Sequence, residues 1–115
     1  IGQLDENRFT GRVGFRCTTP DYLPIAGPVH RHHQFLEDYA PLRKNAHNDI
    51  NIAGAYYPGL YMNVAHGSRG LTSSPLCSEL LAAFICREPR PMPRKLWQAL
   101  SPARFLIRDM IRNKI

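Results

Sequence analysis

Residues 59–85, GLYMNVAHGSRGLTSSPLCSELLAAFI, decide how the rest of the chain is read. The run opens apolar from Leu60 to Ala65, turns through Gly67-Ser68-Arg69-Gly70, and continues at helical spacing with Ser74 and Pro75 at the expected helix mouth. Serine is a favoured N-cap, and a proline in the first helical position loses no hydrogen bond, so the predicted unit is strand, glycine loop and a helix from Ser74. Leu76, Leu80 and Phe84 form its predicted apolar stripe, with Cys77, Leu81 and Ile85 beside it. Gly67 and Gly70 admit positive φ or a close backbone approach. The first N–H groups of a helix are unpaired and sit at the positive end of its dipole, so this loop suits an electron-rich or anionic ligand.

Upstream, residues 9–18 (FTGRVGFRCT) alternate, with Arg12, Gly14 and Arg16 on one face and Val13, Phe15 and Cys17 on the other. That pattern predicts a strand with one buried face, which delivers Arg16 near its C-terminal end. Residues 18–29 (TTPDYLPIAGPV) hold a turn at Pro20-Asp21 and an extended, proline-rich edge piece from Leu23 to Gly27. Residues 30–52 predict a helix carrying Phe35, Leu36 and Tyr39, interrupted by Pro41. His30, His32 and His33 lack further ligands at a metal-binding spacing, and no metal site is expected. IAGAYY (52–57) and LYMNVA (60–65) predict two strands separated by a Pro58-Gly59 turn.

Downstream, the main helix is expected to stop before Pro89, and EPRPMP (88–93) to run extended. A short helix over 94–100 and a second over about 102–113, capped by Ser101, complete the chain. In the latter, Leu106 with Met110 and Ile107 with Ile111 give an apolar side, while Arg104, Arg108 and Arg112 line up at i, i+4, i+8. Such a row is a candidate contact for RNA phosphates, and equally a solvated face.

The chain has 115 residues, 15 Lys+Arg against 9 Asp+Glu, and a net charge of +6, a balance that suits an acidic partner. Hydrophobic content of 43% and charged content of 21% argue against wholesale disorder. No apolar run is long enough to span a membrane and no signal-peptide pattern opens the sequence, so no membrane partner and a cytoplasmic setting are expected. Cys17, Cys77 and Cys86 have no metal-type spacing and are expected to be reduced, buried thiols.

Arg16 and Arg69 stand out by position, since a guanidinium binds a carboxylate in bidentate fashion. His66 and Ser68 lie two apart on one loop with no acidic orienter, so no catalytic residue is assigned and hydrolase chemistry is disfavoured. The absence of a G-x-G-x-x-G turn means that the chain carries no complete dinucleotide site of its own.

Three ordered segments, RVGFRCTTPDYLPIAGPV, GLYMNVAHGSRGLTSSPLCSELLAAFICREPRPMP and LSPARFLIRDMIR, resemble the C-terminal part of the flavin half of bifunctional wobble-uridine-modifying tRNA enzymes. That half belongs to the D-amino-acid oxidase and glycine oxidase-like family. The resemblance implies FAD as cofactor, oxidation of a CH–NH bond, and removal of the carboxymethyl group of 5-carboxymethylaminomethyl-2-thiouridine to leave the 5-aminomethyl form. It implies tRNA as partner, together with the remainder of a parent chain whose N-terminal methyltransferase domain uses S-adenosylmethionine. On the matching positions it implies Arg16, with Arg69 or Ser68, facing the substrate carboxylate. It also implies that His66, Gly67, Ser68, Arg69, Gly70, Leu71 and Thr72 contact the flavin. The expected class is α/β (α+β taken in isolation), with residues 1–19 ending a substrate-domain sheet, 20–91 belonging to the FAD-binding domain and 92–115 forming a basic helical tail. The alternatives are a flavin oxidase of a free amino acid such as glycine or sarcosine, and a non-catalytic RNA-binding module using Arg104, Arg108 and Arg112.

Overall fold

The computed structural model describes residues 10–46 and 54–115 as a mixed α/β arrangement. Strand β1 (Ile25–His30) pairs antiparallel with β2 (Tyr56–Val64), and helix α1 (His32–Asp38) with a 3-10 turn (Ala40–Arg43) follows β1 in the chain. After β2 come a 3-10 turn (Gly67–Arg69), α2 (Gly70–Ile85), α3 (Arg94–Ala99) and α4 (Arg104–Ile111).

Pro58-Gly59 does not separate two strands, as the dipeptide predicted; β2 runs through it. The register explains how. Pro28 faces Tyr61 and His30 faces Tyr56, so one residue of β1 stands opposite four of β2, and the proline and glycine are absorbed in that bulge. Part of the predicted 52–57 strand lies outside the described residues. On its other edge β1 is tied to the C-terminal region, with Ala26 N donating to Leu100 O at 2.9 Å.

The alternating run ahead of β1 forms no ladder. Residues 10–17 are exposed, Val13 and Phe15 completely so, and Thr18 makes only an isolated antiparallel bridge to His66. The pattern has the period of a strand, but no described strand lies alongside to satisfy it. Phe9 lies outside the described residues.

Helix α2 begins at Gly70, four residues before the predicted cap, which leaves Pro75 inside it. The extra turn is secured by side chains: Ser73 Oγ donates to Arg69 O at 2.9 Å and lies 2.8 Å from His66 Nδ1. Ser74 therefore caps nothing. The buried face is Cys77, Leu80 and Ala83, with Phe84 partly covered, while Leu76 and Ile85 are exposed. The predicted stripe was thus rotated by about one position. Helix α4 starts two residues later than expected, with Ala103 as its N-cap and no side-chain cap; Ser101 Oγ accepts from Ala103 N at 3.2 Å in the turn before it and does not cap the helix.

Two small cores result. Ala26, Cys77 and Leu80 gather Phe84, Met92, Trp97 and Leu100, which joins β1, α2 and α3. Phe35, Ala103, Leu106 and Met110 gather Leu36, Tyr39 and Ile107, which joins α1 and α4. Of the cysteines only Cys77 is buried; Cys17 and Cys86 are exposed, against expectation. Among the described residues no helix is long and apolar enough to cross a membrane.

Candidate functional site

The end of β2 reverses into α2 through a loop in which Ala65 (φ 62°) and Gly67 (φ 56°) are both left-handed. At Gly67 glycine is demanded twice, because a Cβ there would also lie 2.8 Å from Thr18 Cγ2. Gly70 is different. Its φ of −56° is helical and an added Cβ would meet nothing closer than His66 Cβ at 3.6 Å.

This loop is fastened at both ends by one ring. His66 Nε2 lies 2.9 Å from Asn63 Oδ1 on β2, and Nδ1 lies 2.8 Å from Ser73 Oγ on α2. Asn63 Nδ2 in turn donates to Ser78 Oγ at 3.2 Å, which orients the amide so that its oxygen faces the ring. Both ring nitrogens are thus engaged within the protein. His66 holds the loop to the strand and the helix. The sequence expectation of a flavin-contacting His66 carries no sign of its partners Asn63 and Ser73, which only the fold brings to the ring.

Thr18 Cγ2 fills the space that a side chain at Gly67 would need, and Gly67 N donates to Cys17 O at 3.0 Å. The Arg16 segment and the glycine loop are thus neighbours through their backbones. Their side chains line different hollows. Ser68 and Arg69 share a cavity of about 240 Å³ with Thr18, Tyr22, Ala65, His66 and Gly67. Arg16 lines one of about 340 Å³ with Arg12, Val13, Gly14 and Phe15. Gly70, Leu71 and Thr72 form the first turn of α2, with Leu71 fully exposed.

The three arginines of the tail have unequal surroundings. Arg104 donates from Nε to Asp21 Oδ2 at 2.9 Å, and from Nη2 to Asp21 Oδ1 at 3.0 Å and Leu23 O at 2.9 Å. These bonds hold the Asp21 carboxyl well below the usual carboxylate range; partial burial opposes them, and Thr19 and the Leu23 N–H add to them. Arg108 lies over the Phe105 ring, 4.8 Å from its centroid, and approaches Asp109 only at 3.6 Å, too far for a hydrogen bond. Arg112 is exposed. His30 packs edge-on against Phe35, and desolvation lowers its pKa, with neighbouring His32 adding to the shift. Among the described residues no three His, Cys, Asp or Glu side chains are placed to hold a metal.

A strand that reverses through a left-handed glycine loop into a helix, faced by an arginine-bearing segment, is matched by a model of the FAD dependent oxidoreductase family over residues 3–84. The chain belongs to that family. It is 51% identical over 111 residues to the tRNA 5-methylaminomethyl-2-thiouridine biosynthesis bifunctional protein MnmC of Pseudomonas paraeruginosa, covering 96% of this chain and 17% of that protein. The protein of the same name from Pseudomonas putida GB-1 is 46% identical over 114 residues, 99% of this chain and 17% of its own. That from Stutzerimonas stutzeri A1501 is 51% identical over 103 residues, 90% of this chain and 16% of its own. The chain therefore spans about a sixth of the length of these relatives.

Proposed function

We propose that this chain supplies a substrate-facing and flavin-facing wall of an FAD-dependent oxidase that acts on the carboxymethylamino group of 5-carboxymethylaminomethyl-2-thiouridine in tRNA and leaves the aminomethyl base. One observation carries it: the Thr18–His66 bridge and the Cys17 O to Gly67 N bond set the Arg16 segment directly against the glycine loop.

The residues fit a flavin as one side of its site. The loop's conformation is fixed by His66, and the first turn of α2 opens beside it. The chain holds no G-x-G-x-x-G turn for the pyrophosphate, so the adenine side belongs to other parts of the protein. Bound there, FAD would supply the two-electron acceptor for oxidation at the C–N bond. The chain's own residues orient the substrate. Arg16 takes the carboxylate of the carboxymethyl group, and Arg69 with Ser68 adds a cation and a hydroxyl at the loop. No side chain of this chain is assigned a proton-transfer role.

The name shared by the relatives supports tRNA as the substrate carrier. Of the three tail arginines, Arg108 on α4 and Arg112 at its C-cap are left to meet phosphates, whereas Arg104 is held by Asp21. The relatives are called bifunctional, in keeping with an S-adenosylmethionine-dependent methyltransferase domain elsewhere in the parent protein.

The test uses the full-length protein. Arg16→Ala should raise KM for the carboxymethylaminomethyl substrate at least ~10-fold, the scale of one lost charge-assisted pair, and leave bound flavin unchanged. A flavin-loaded variant that keeps its KM, or one that loses its flavin, would refute the assignment of Arg16.

A further inference from the structure

Tyr22 is three-quarters exposed, yet its backbone is left-handed at φ 59°, a conformation that costs a bulky residue about 1–2 kcal/mol. The loop that imposes it is densely bonded. Thr19 Oγ1 lies 2.6 Å from Leu23 O and 2.8 Å from Asp21 Oδ1, Leu23 N donates to Asp21 Oδ1 at 3.1 Å, and Tyr22 N donates to Thr19 O at 3.1 Å. Arg104 then closes the loop from outside, through both oxygens of Asp21 and through Leu23 O. None of these bonds buries the Tyr22 ring. Their combined effect is to fix the backbone that carries an exposed phenol, and Tyr22 lines the Ser68–Arg69 cavity.

Apart from the tethered His66 imidazole, Tyr22 is the one aromatic ring of that wall. Arg69 supplies charge and Ser68 a hydroxyl. What the cavity otherwise offers is a flat apolar face, and the chemistry that uses one beside a cation is a planar ring carrying an anionic substituent.

We infer that Tyr22 is the platform on which the pyrimidine ring of the substrate stacks, and that Asp21 and Arg104 are positioning residues that aim it. This rests on the oxidase proposal above and adds to it the origin of preference for a nucleoside over a free amino acid: the arginines recognise the carboxymethylamine, and Tyr22 recognises what the amine is attached to.

Isothermal titration of the full-length protein separates the two with two probes, the nucleoside 5-carboxymethylaminomethyluridine and sarcosine, which keeps the carboxymethylamine but has no ring. Tyr22→Ala should weaken the nucleoside ~10-fold, the scale of one lost base–aromatic stack, and leave sarcosine within about twofold. Tyr22→Phe should behave as wild type toward both. Arg104→Lys should weaken the nucleoside in the same sense by a smaller factor, and again spare sarcosine. Unchanged nucleoside affinity in Tyr22→Ala, or an equal loss for both probes, overturns the inference, including where the variant is merely less stable. The oxidase proposal is judged separately by the visible flavin absorption of the wild-type protein: a colourless preparation sinks that proposal, while the titrations still decide the role of Tyr22.

Discussion

Arg104 and Asp21 are 83 positions apart and meet as a bidentate pair whose arginine is nine-tenths buried and whose aspartate is one-third exposed. The pair ties the start of α4 to the loop ahead of β1, across the seam between the two small cores. An arginine in that place holds the chain together. The same residue viewed along the sequence is only one member of a basic row.

Arg104→Ala should therefore lower the stability of the full-length protein by about 1–2 kcal/mol, the range of a partly shielded charged hydrogen-bond pair. Arg104→Lys should recover less than half, because an ammonium cannot serve two carboxylate oxygens and a carbonyl in one plane. Denaturant titration measures both, and an alanine variant as stable as wild type would contradict the role.

The same pair makes stability depend on acid. Asp21 has its pKa held below the ordinary 3.8, chiefly by the hydrogen bonds from Arg104. A carboxyl with a depressed folded-state pKa contributes fully above its unfolded value and loses that contribution as the pH falls below it. The melting-temperature gap between wild type and Asp21→Asn should be constant from pH 7 to about 5, then shrink from about pH 4 downward. A gap that widened on acidification would show that the carboxylate is not the stabilised form.

The two glycines of the reversal should respond oppositely to alanine. Gly67→Ala should cost about 2–3 kcal/mol, part from the left-handed backbone and part from the contact with Thr18 Cγ2. Adding Thr18→Ser should return the contact part alone. Gly70→Ala should be neutral or stabilising by up to about 1 kcal/mol, since its backbone is already helical and uncrowded. Thermal unfolding of the set decides, and equal effects at the two positions would be the contrary result.

Leu80 is fully buried where α2 meets β1 and the C-terminal region. Leu80→Ala should cost about 2–5 kcal/mol, and Leu80→Met less than about 1.5 kcal/mol because volume is conserved. Comparable losses in the two would place the cost elsewhere than in a cavity.

Local chemistry was legible in the sequence and pairing was not. The glycine loop and the helix after it follow from side chains within a few positions of one another, and they stand in the structure with boundaries moved, whereas Ser101 bonds within the turn before α4 and does not cap it. The helix start was missed by four residues because Ser73 bonds back to Arg69 and to His66, a substitute for a cap that spacing rules do not anticipate. Pro58-Gly59 carries a turn signature, but bonding to β1 on either side keeps it inside a strand. Residues 10–17 show the converse, a correct period with no described partner strand. Arg104 is the clearest case, since nothing near it in sequence announces Asp21. Of the candidate site, the loop and Arg69 were found by position, whereas Tyr22, Thr18 and Asn63 emerge only when distant segments are brought together.

The His66 tether also fixes a length. Its ring spans from Asn63 on the strand to Ser73 on the helix, with the left-handed Ala65 and Gly67 on either side of it. A single residue inserted or deleted between Val64 and Gly70 would leave the ring able to reach the strand or the helix, but not both. Substitutions that keep the count are therefore open to this segment in a way that indels are not.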